Sequence, residues 1–310
     1  MRLHEIPDDF RDLITLAAQY KHIPEAAAER DYYIVYMLQK LEQSEFAEKC
    51  VFKGGTSLSK CYPGSIERFS EDIDLTFLGM DLPDKECSRS IKRIESIMTV
   101  GANTEPIASE RSNRSKSMFV WFDDEEKHVK LEIGSSVRPD PYSKRSFKTY
   151  IQEYLENHGY AKEVNDYELT SVTLNVLEIS RTFIDKLMSV KRHTMCGSLS
   201  DKVRHVYDVV RLYQLPEIQD FLNDKEELKR LVALTKETDS YYLGKRNIAV
   251  DYDPRAPYQF DRWKAQFEDL AKSQYGKLHE NLLYTDIPQN FDDAISTFEE
   301  LSNLLASIGE

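Results

Sequence analysis

Asp72 and Asp74 are the residues of this sequence best suited to bind a metal ion, because one residue separates them in a stretch with strand character. Side chains of a strand alternate between its two faces. Both carboxylates should therefore share one face, while Ile73, Leu75 and Phe77 pack on the other. Two carboxylates at one place repel each other unless a cation lies between them, and oxygen-only ligands suit Mg²⁺. The pair predicts a magnesium site; the alternative is a solvated strand end that happens to carry two aspartates.

The segment before the aspartates has the features of a phosphate-binding turn. Cys50–Phe52 predicts a short buried strand. Gly54 and Gly55 permit a tight turn, and Thr56 and Ser57 are suited to cap the helix that follows. Backbone N–H groups and hydroxyls at the start of such a helix bind phosphate. A strand, a Gly-Gly turn, a helix and then two aspartates on a strand together predict a site for a metal ion and a nucleotide.

Two cations in the same segment, Lys60 and Arg68, are candidates to add positive charge to the nucleotide site. Both have an equally good alternative role as partners in surface ion pairs. In the preceding predicted helix, Glu29, Arg30 and Asp31 are within reach of the site, but a solvated or intrahelical charge pair is the better supported interpretation.

Composition is typical of a soluble globular protein, with 310 residues, 41% hydrophobic and 31% charged. No apolar run approaches the roughly 20 residues of a membrane span, and the start of the chain lacks a signal-peptide pattern. The four cysteines have the spacing of neither a zinc site nor a disulfide framework. We therefore expect a reduced, cytoplasmic protein with no membrane partner. Neither HExxH nor GxSxG occurs, so the rival hydrolase mechanisms have no support.

Charge is distributed unevenly along the chain. The net charge of −13 argues at first against a nucleic-acid partner. The stretch Arg181–Arg211, however, has seven Lys/Arg and three Asp/Glu, a charge balance of +4. Gln214–Glu310 has eleven Lys/Arg and nineteen Asp/Glu, a charge balance of −8. We name Arg181–Arg211 the basic stretch. It predicts modest, salt-sensitive binding of phosphates.

Apolar spacing divides the chain into an α/β lobe, residues 1–180, and a mostly helical lobe, residues 181–310, with the boundary near Ser180. Helices are predicted at Ile6–Tyr20 and after Pro24. In the same lobe the sequence predicts a β-hairpin of Phe119–Phe122 and Val129–Ile133 around the acidic turn Asp123–Glu126, a strand at Leu169–Ile179 and a loop at Asn103–Ser117. Asp140, Pro141 and Lys144–Lys148 are predicted to form a further loop with a candidate helix start. In the second lobe, a Pro- and Tyr-containing excursion is predicted at Tyr241–Pro257.

Four motif regions resemble one protein family. KGGTSLSK (53–60) followed by RFSEDIDL (68–75) is similar to the first motif of the AbiEii/AbiGii-type nucleotidyltransferase toxins, which include the MenT toxins and belong to the polymerase-β-like nucleotidyltransferase superfamily. VKLEIG (129–134), RTFIDKLMSVKRH (181–193) and HVYDVVRL (205–212) resemble the later motifs. The resemblance implies an α/β fold with a small mixed sheet, flanking helices and a C-terminal helical lobe that completes the active site.

The same resemblance assigns roles to three further residues. Glu132 stands where relatives often carry Asp as a third carboxylate beside the two aspartates; its alternative role is that of an exposed strand residue paired with Lys130. Lys186 matches the family's essential lysine, and its alternative is a surface cation. Asp208 matches the essential aspartate. On an otherwise apolar helix it is expected to pair with a nearby Arg or Lys, for which Lys186 is a candidate.

The activity that the resemblance implies is Mg²⁺-dependent transfer of a nucleoside monophosphate from a nucleoside triphosphate to an acceptor, with release of pyrophosphate. It further implies a toxin of a toxin–antitoxin or abortive-infection system used in phage defence, with a cognate antitoxin encoded nearby. Some relatives modify the 3′ end of tRNA, so an RNA acceptor, tRNA first, is expected. The alternatives are transfer to a small molecule such as an aminoglycoside, transfer to a protein, and a nucleotide-binding module without catalysis.

Overall fold

The computed structural model describes residues 1–123, 128–246, 252–281, 283 and 289–310. The chain divides into two compact units. The first comprises Met1–Pro63 and Phe69–Leu177, and the second comprises Gly64–Arg68 and Glu178–Glu310. The predicted α/β class is confirmed. The boundary after Leu177 lies three residues before the one predicted near Ser180. The assignment of Gly64–Arg68 to the second unit was not predicted from the sequence.

One seven-stranded mixed sheet runs through the described part of the first unit. Its strands are β1 Cys50–Lys53, β2 Asp72–Phe77, β3 Asn103–Pro106, β4 Ser115–Trp121, β5 Val129–Gly134, β6 Tyr142–Phe147 and β7 Val172–Leu177. Their order across the sheet is β3-β4-β5-β2-β1-β7-β6. Strand β2 is antiparallel to β1 and parallel to β5, so the aspartate-bearing strand has hydrogen-bonded neighbours on both sides.

The predicted hairpin and final strand are confirmed, as β4 paired with β5 and as β7. Of the acidic turn between β4 and β5, residues 124–127 lie outside the described residues. The predicted loops at Asn103–Ser117 and Lys144–Lys148 are wrong, because these segments contain β3, the start of β4 and most of β6. Strands β3 and β6 are the two edges of the sheet; β3 is exposed along its length and β6 is fully buried only at Phe147, so neither shows a clear apolar alternation.

Helices of the first unit cover the ends and faces of the sheet. They are α1 Pro7–Lys21, α2 Glu25–Glu42, α3 Gly54–Cys61, α4 Asp84–Met98, α5 Tyr150–Asn157 and α6 Ala161–Asp166. The first two confirm the helices predicted from apolar spacing. Helix α1 starts with Pro7, whose missing N–H costs nothing at that position, and ends at His22 in the left-handed conformation. Tyr33 of α2 is buried and stacks on Phe122 at 4.3 Å between ring centroids.

The second unit is helical in its described residues. Its helices are α7 Ile179–Met195, α8 Val203–Tyr213, α9 Pro216–Asn223, α10 Lys225–Arg246, α11 Lys264–Asn281 and α12 Phe291–Ser307. Asn290 and Asp293 form a capping box at the start of α12. The excursion predicted at Tyr241–Pro257 is wrong in its first part, because α10 continues to Arg246; residues 247–251 lie outside the described residues. None of the helices in the described ranges is long and apolar enough to cross a membrane.

Candidate active site

Strand β2 presents Asp72 and Asp74 on one face of the sheet. The two carboxylates are partly exposed, while Ile73 and Leu75 between and after them are at most 1% exposed. The alternation expected from the sequence is confirmed. Burial of the alternate apolar side chains fixes the register of the strand, since a slip by one residue would turn both carboxylates into the core.

Gly54, at the junction of β1 and α3, lies directly against Asp74. Lys53, the last residue of β1, is the register partner of Asp74. The chain then turns through Gly54 with a φ of +86°, a conformation that side chains with a β-carbon rarely adopt. A β-carbon at this position would lie 2.2 Å from Asp74 Oδ2. The expected tight turn is therefore present, and glycine is needed for two reasons: its φ and the space that the carboxylate occupies.

Thr56 and Ser57 do not cap α3, contrary to expectation, because the helix starts earlier, at Gly54, and its N-cap residue is Lys53. The Thr56 hydroxyl instead donates to the backbone carbonyl of Asp72. Ser70 Oγ lies 3.0 Å from the same hydroxyl of Thr56. The Ser57 hydroxyl donates to the Gly54 carbonyl at 3.0 Å. Thr56 thus ties the first turn of α3 to the start of β2. The first-turn N–H groups of a helix have no acceptor within the helix and are suited to bind an anion.

Glu132 of β5 is the register partner of Asp74 on the parallel side of β2, and its side chain lies on the same face. The predicted position beside the aspartate strand is confirmed. Its Oε1 lies 2.5 Å from Lys130 Nζ, and Lys130 also contacts Glu110 at 2.9 Å. Burial lowers the pKa of Lys130, but its hydrogen bonds to Glu132 and Glu110 outweigh burial and raise the pKa above the ordinary value. In this structure Glu132 is held by a lysine.

Two lysines lie at the site: Lys53, which was not predicted there, and Lys130, which was predicted only in the alternative interpretation as the partner of Glu132 and is found in that pair. Both lie in register with the aspartates, Lys53 opposite Asp74 and Lys130 beside Asp72. Each follows the strand alternation that identifies the aspartates, but strand order and register are needed to place them beside the carboxylates. The face of the sheet at β2 therefore carries positive as well as negative side chains.

Lys60, expected to add charge to a nucleotide site, is buried in an ion pair. Its side chain is 3% exposed and lies 2.5 Å from Asp31 Oδ1. Its ammonium group also lies 4.0 Å from the centre of the Tyr150 ring. The Tyr150 backbone N–H donates to the second oxygen of Asp31 at 2.7 Å. Burial raises the pKa of Asp31 despite the opposing effect of the Lys60 charge.

Arg68, Asp208 and Lys186 form a buried ionic cluster in the second unit. The Asp208 carboxylate is 0% exposed, and Arg68 binds it through two hydrogen bonds, Nε to Oδ1 and Nη2 to Oδ2, both 2.6 Å long. Lys186 Nζ lies 2.7 Å from the same Oδ2. Burial opposes ionisation of Asp208, but the two cations and their hydrogen bonds hold its pKa well below the usual range. The expected pairing of Asp208 with Lys186 is confirmed, and Arg68 is an additional partner that the sequence did not predict.

One protein-family model matches most of this chain. The model of the nucleotidyl transferase AbiEii toxin family, described as a type IV toxin–antitoxin system, matches residues 36–301. The chain belongs to this family. Among solved structures, the nucleotidyltransferase toxin MenT4 from Mycobacterium tuberculosis H37Rv is 19% identical, with 95% of this chain and 98% of MenT4 covered and a TM-score of 0.50. JHP933 from Helicobacter pylori is 15% identical, with 92% of each chain covered and a TM-score of 0.45. No curated protein matches the chain in sequence.

This chain is a nucleotidyltransferase of a toxin family that belongs to a toxin–antitoxin system, and its fold is similar to that of MenT4. The structure places the predicted residues in two groups. Gly54, Asp72, Asp74 and Glu132 come together in the first unit, and Arg68, Asp208 and Lys186 come together in the second.

The basic stretch of this AbiEii-family protein is turned largely inward. Arg181 pairs with Asp185 on its own helix, and Arg192 pairs with Asp239. Lys191 is 2% exposed and donates to the carbonyls of Ala256 and Pro257 at 3.1 and 2.9 Å. Burial lowers the pKa of Lys191 to about 8. At these residues the structure gives no support to the predicted binding of phosphates, because their side chains have partners within the protein that periodicity does not reveal.

The first group supplies oxygen ligands of the kind that a magnesium ion needs. Asp72 and Asp74 supply the carboxylate oxygens that Mg²⁺ prefers, and they share one partly exposed face. Glu132 supplies a third carboxylate in register, but it contacts Lys130. Among the residues that the structure describes, no three Asp, Glu, His or Cys side chains converge closely enough to hold a metal ion. The two aspartates are of the right chemical type for the ion, whereas Glu132 is paired with Lys130 in this structure.

Proposed function

We propose that this nucleotidyltransferase transfers a nucleoside monophosphate from a nucleoside triphosphate to RNA, in a Mg²⁺-dependent reaction that releases pyrophosphate. The observation that supports it best is the arrangement at Gly54, where Asp74, on the strand that also carries Asp72, lies against a helix N-terminus that has no space for a side chain at Gly54. Carboxylates for a metal and N–H groups for phosphate are the two requirements of phosphoryl-group transfer from a triphosphate.

In this proposal each residue has a separate task. Asp72 and Asp74 would hold Mg²⁺, with Glu132 as a third carboxylate in place of its contact with Lys130. Bound there, Mg²⁺ would neutralise charge on the phosphates and lower the pKa of the acceptor hydroxyl. The first-turn N–H groups from Gly54 to Ser57 bind phosphate oxygens.

The bond changes balance without a further reactant. The acceptor oxygen forms a bond to the α-phosphorus, and the bond from that phosphorus to the oxygen bridging to the β-phosphate breaks. The acceptor proton passes to solvent, and pyrophosphate leaves with the electron pair of the broken bond. The protein contributes positioning and charge stabilisation, which supply most of the catalysis in reactions of this type. Lys186 is proposed to contact the triphosphate as a point charge.

The choice of RNA, with the 3′ end of tRNA first, rests on the motif resemblance. The inward orientation of much of the basic stretch removes one argument for RNA. The net charge of −13 favours instead a cationic small molecule such as an aminoglycoside, which is kept as the second candidate. A toxin acting on tRNA would work in the cytoplasm and would be controlled by a cognate antitoxin.

The test is a transfer assay with four labelled nucleoside triphosphates, Mg²⁺ and three acceptor samples: total tRNA, a protein lysate and an aminoglycoside mixture. Asp72→Asn serves as the inactive control. We expect label in tRNA with at least one nucleotide and none with the control. Label only on protein or only on the aminoglycoside would replace the proposed acceptor, and no label on any sample would contradict transfer itself.

A further inference from the structure

The Asp208 carboxylate has no room for a role at a reacting atom. Both of its oxygens accept hydrogen bonds from the Arg68 guanidinium, and one of them also accepts from Lys186. A carboxylate with three charge-assisted donors and no exposure to water is a poor proton acceptor. The pKa of this group, held well below its usual range by the two cations, agrees with that geometry.

Arg68 fixes the orientation of that carboxylate. A guanidinium that donates two parallel hydrogen bonds determines the plane of the acceptor as well as its distance. Oδ2, the oxygen that Lys186 contacts at 2.7 Å, is therefore oriented by the bond from Arg68 Nη2. Lysine at position 68 would keep the charge and lose this planar constraint.

The backbone around Arg68 is itself held by the second unit. Glu67 has a φ of +37°, in the left-handed region, and its carboxylate lies 2.6 Å from Arg211 Nη2. Arg211 is three residues after Asp208 on α8, so two neighbouring side chains of the segment, Glu67 and Arg68, bind one face of one helix. Arg68 also forms a β-bridge with Leu283. The guanidinium is thus positioned from a strained, tightly held segment.

We propose that Asp208 and Arg68 are positioning residues for Lys186: Arg68 orients the Asp208 carboxylate, and Asp208 holds the Lys186 ammonium group where it contacts the triphosphate. The inference rests on the proposed nucleotidyl transfer and extends it to a residue, Arg68, whose expected role was direct nucleotide binding. Asp208 acts through its charge and orientation, with no transfer of its own proton.

The test is a mutant cycle in the labelled-nucleotide assay. Arg68→Gln, Asp208→Asn and Lys186→Met should each lower kcat/KM by about 10- to 100-fold, the scale of one charge-assisted contact. All three should divide this loss between kcat and KM in the same way. In the double variant Arg68→Gln/Lys186→Met, kcat/KM should be less than about 3-fold below that of Lys186→Met alone. Lys186, the group through which Arg68 acts, is already absent there.

Arg230→Gln is the matched control, because Arg230 forms an exposed ion pair with Glu227 in the same unit, and it should leave kcat/KM unchanged. Arg68→Lys keeps the charge and is a second variant for use if Arg68→Gln folds poorly. It should lower kcat/KM by less than Arg68→Gln does, and the loss should divide between kcat and KM in the same way. Melting temperatures show whether each protein is folded under assay conditions.

The proposal would be overturned if the fold-loss in kcat/KM of the double variant equals the product of the two single losses. It would also be overturned if Asp208→Asn has the kcat/KM of the wild type. A wild-type protein that transfers no nucleotide to any acceptor would overturn the proposed function and this inference with it. If the wild type is active but the losses at Arg68 and Lys186 multiply, only the positioning role is overturned.

Discussion

Gly54 and Asp74 are in such close contact that a β-carbon on Gly54 would lie 2.2 Å from Asp74 Oδ2. The contact joins the turn that precedes α3 to the strand that carries both aspartates. It makes glycine a requirement of the site geometry as well as of the backbone, whose φ at this position is +86°.

Gly54→Ala should lower nucleotide transfer by about 100-fold or more, because the new methyl group displaces the Asp74 carboxylate. Gly159→Ala is the matched control, since Gly159 also has a positive φ, +80°, but nothing within 4 Å of its β-carbon position. The control should lose about 1–2 kcal/mol of unfolding free energy from backbone strain and keep its transfer rate. Transfer assays and chemical denaturation measure both. Equal behaviour of the two variants would contradict the role of the contact.

Asp72→Asn and Asp74→Asn should each reduce transfer by about 100-fold or more, because an amide of equal volume removes charge from the proposed metal site. Asp8→Asn, at a side chain 94% exposed, is the control and should have no effect. The melting temperature of all three variants should stay near that of the wild type. Wild-type transfer by either site variant, with Mg²⁺ supplied, would remove the aspartates from the mechanism.

Lys130→Met should lower the Mg²⁺ concentration needed for half-maximal transfer by about 5- to 10-fold, the scale of one surface charge contact. The change frees Glu132 from its 2.5 Å contact with a competing cation. Lys144→Met, which breaks the exposed ion pair with Glu48, controls for loss of a lysine elsewhere on the sheet. Magnesium titrations of the three proteins decide the matter. An unchanged or higher requirement in Lys130→Met would exclude Glu132 as a ligand.

Asp208 should make folding stability depend on pH in acid. The folded-state pKa of Asp208 lies below its ordinary value of 3.8, so its contribution is fully present above that value. The contribution is lost as pH falls through the lower folded-state pKa. Asp208→Asn should therefore be less stable than the wild type at neutral pH, and the difference should shrink as pH falls below about 4. Melting temperatures across this range test the sign; a difference that grows in acid would contradict it.

Lys191→Met should destabilise the protein by about 1–3 kcal/mol, because the carbonyls of Ala256 and Pro257 each lose a charged donor. It should not weaken use of an RNA acceptor more than use of the nucleotide, since Lys191 is 2% exposed. Lys229→Met, at an exposed position of α10, is the control. The salt dependence of transfer should be the same in all three proteins. A smaller salt dependence in Lys191→Met alone would return this residue to the acceptor site.

Strand alternation predicted much of the first-unit site. Asp72 and Asp74 share a face because Ile73 and Leu75 must be buried, a local consequence of the period of a strand. The turn at Gly54 was likewise predictable from residue type, since few other residues adopt its φ. The edge strands β3 and β6 were not predictable from the sequence, because their mostly polar residues show no apolar alternation. These strands are held in the sheet by pairing with β4 and β7.

The sequence by itself determined the family, the α/β class and the shared face of Asp72 and Asp74, because these depend on residue types at fixed short spacings. Only the tertiary structure decided the partners of Lys60 and Arg68. Lys60 and Arg68 look alike in the sequence as cations near a glycine turn, yet one is buried against Asp31 and the other against Asp208. These ion pairs join residues 29 and 140 positions apart. The side chain that neutralises a buried charge is set by how distant segments pack, which no local pattern records.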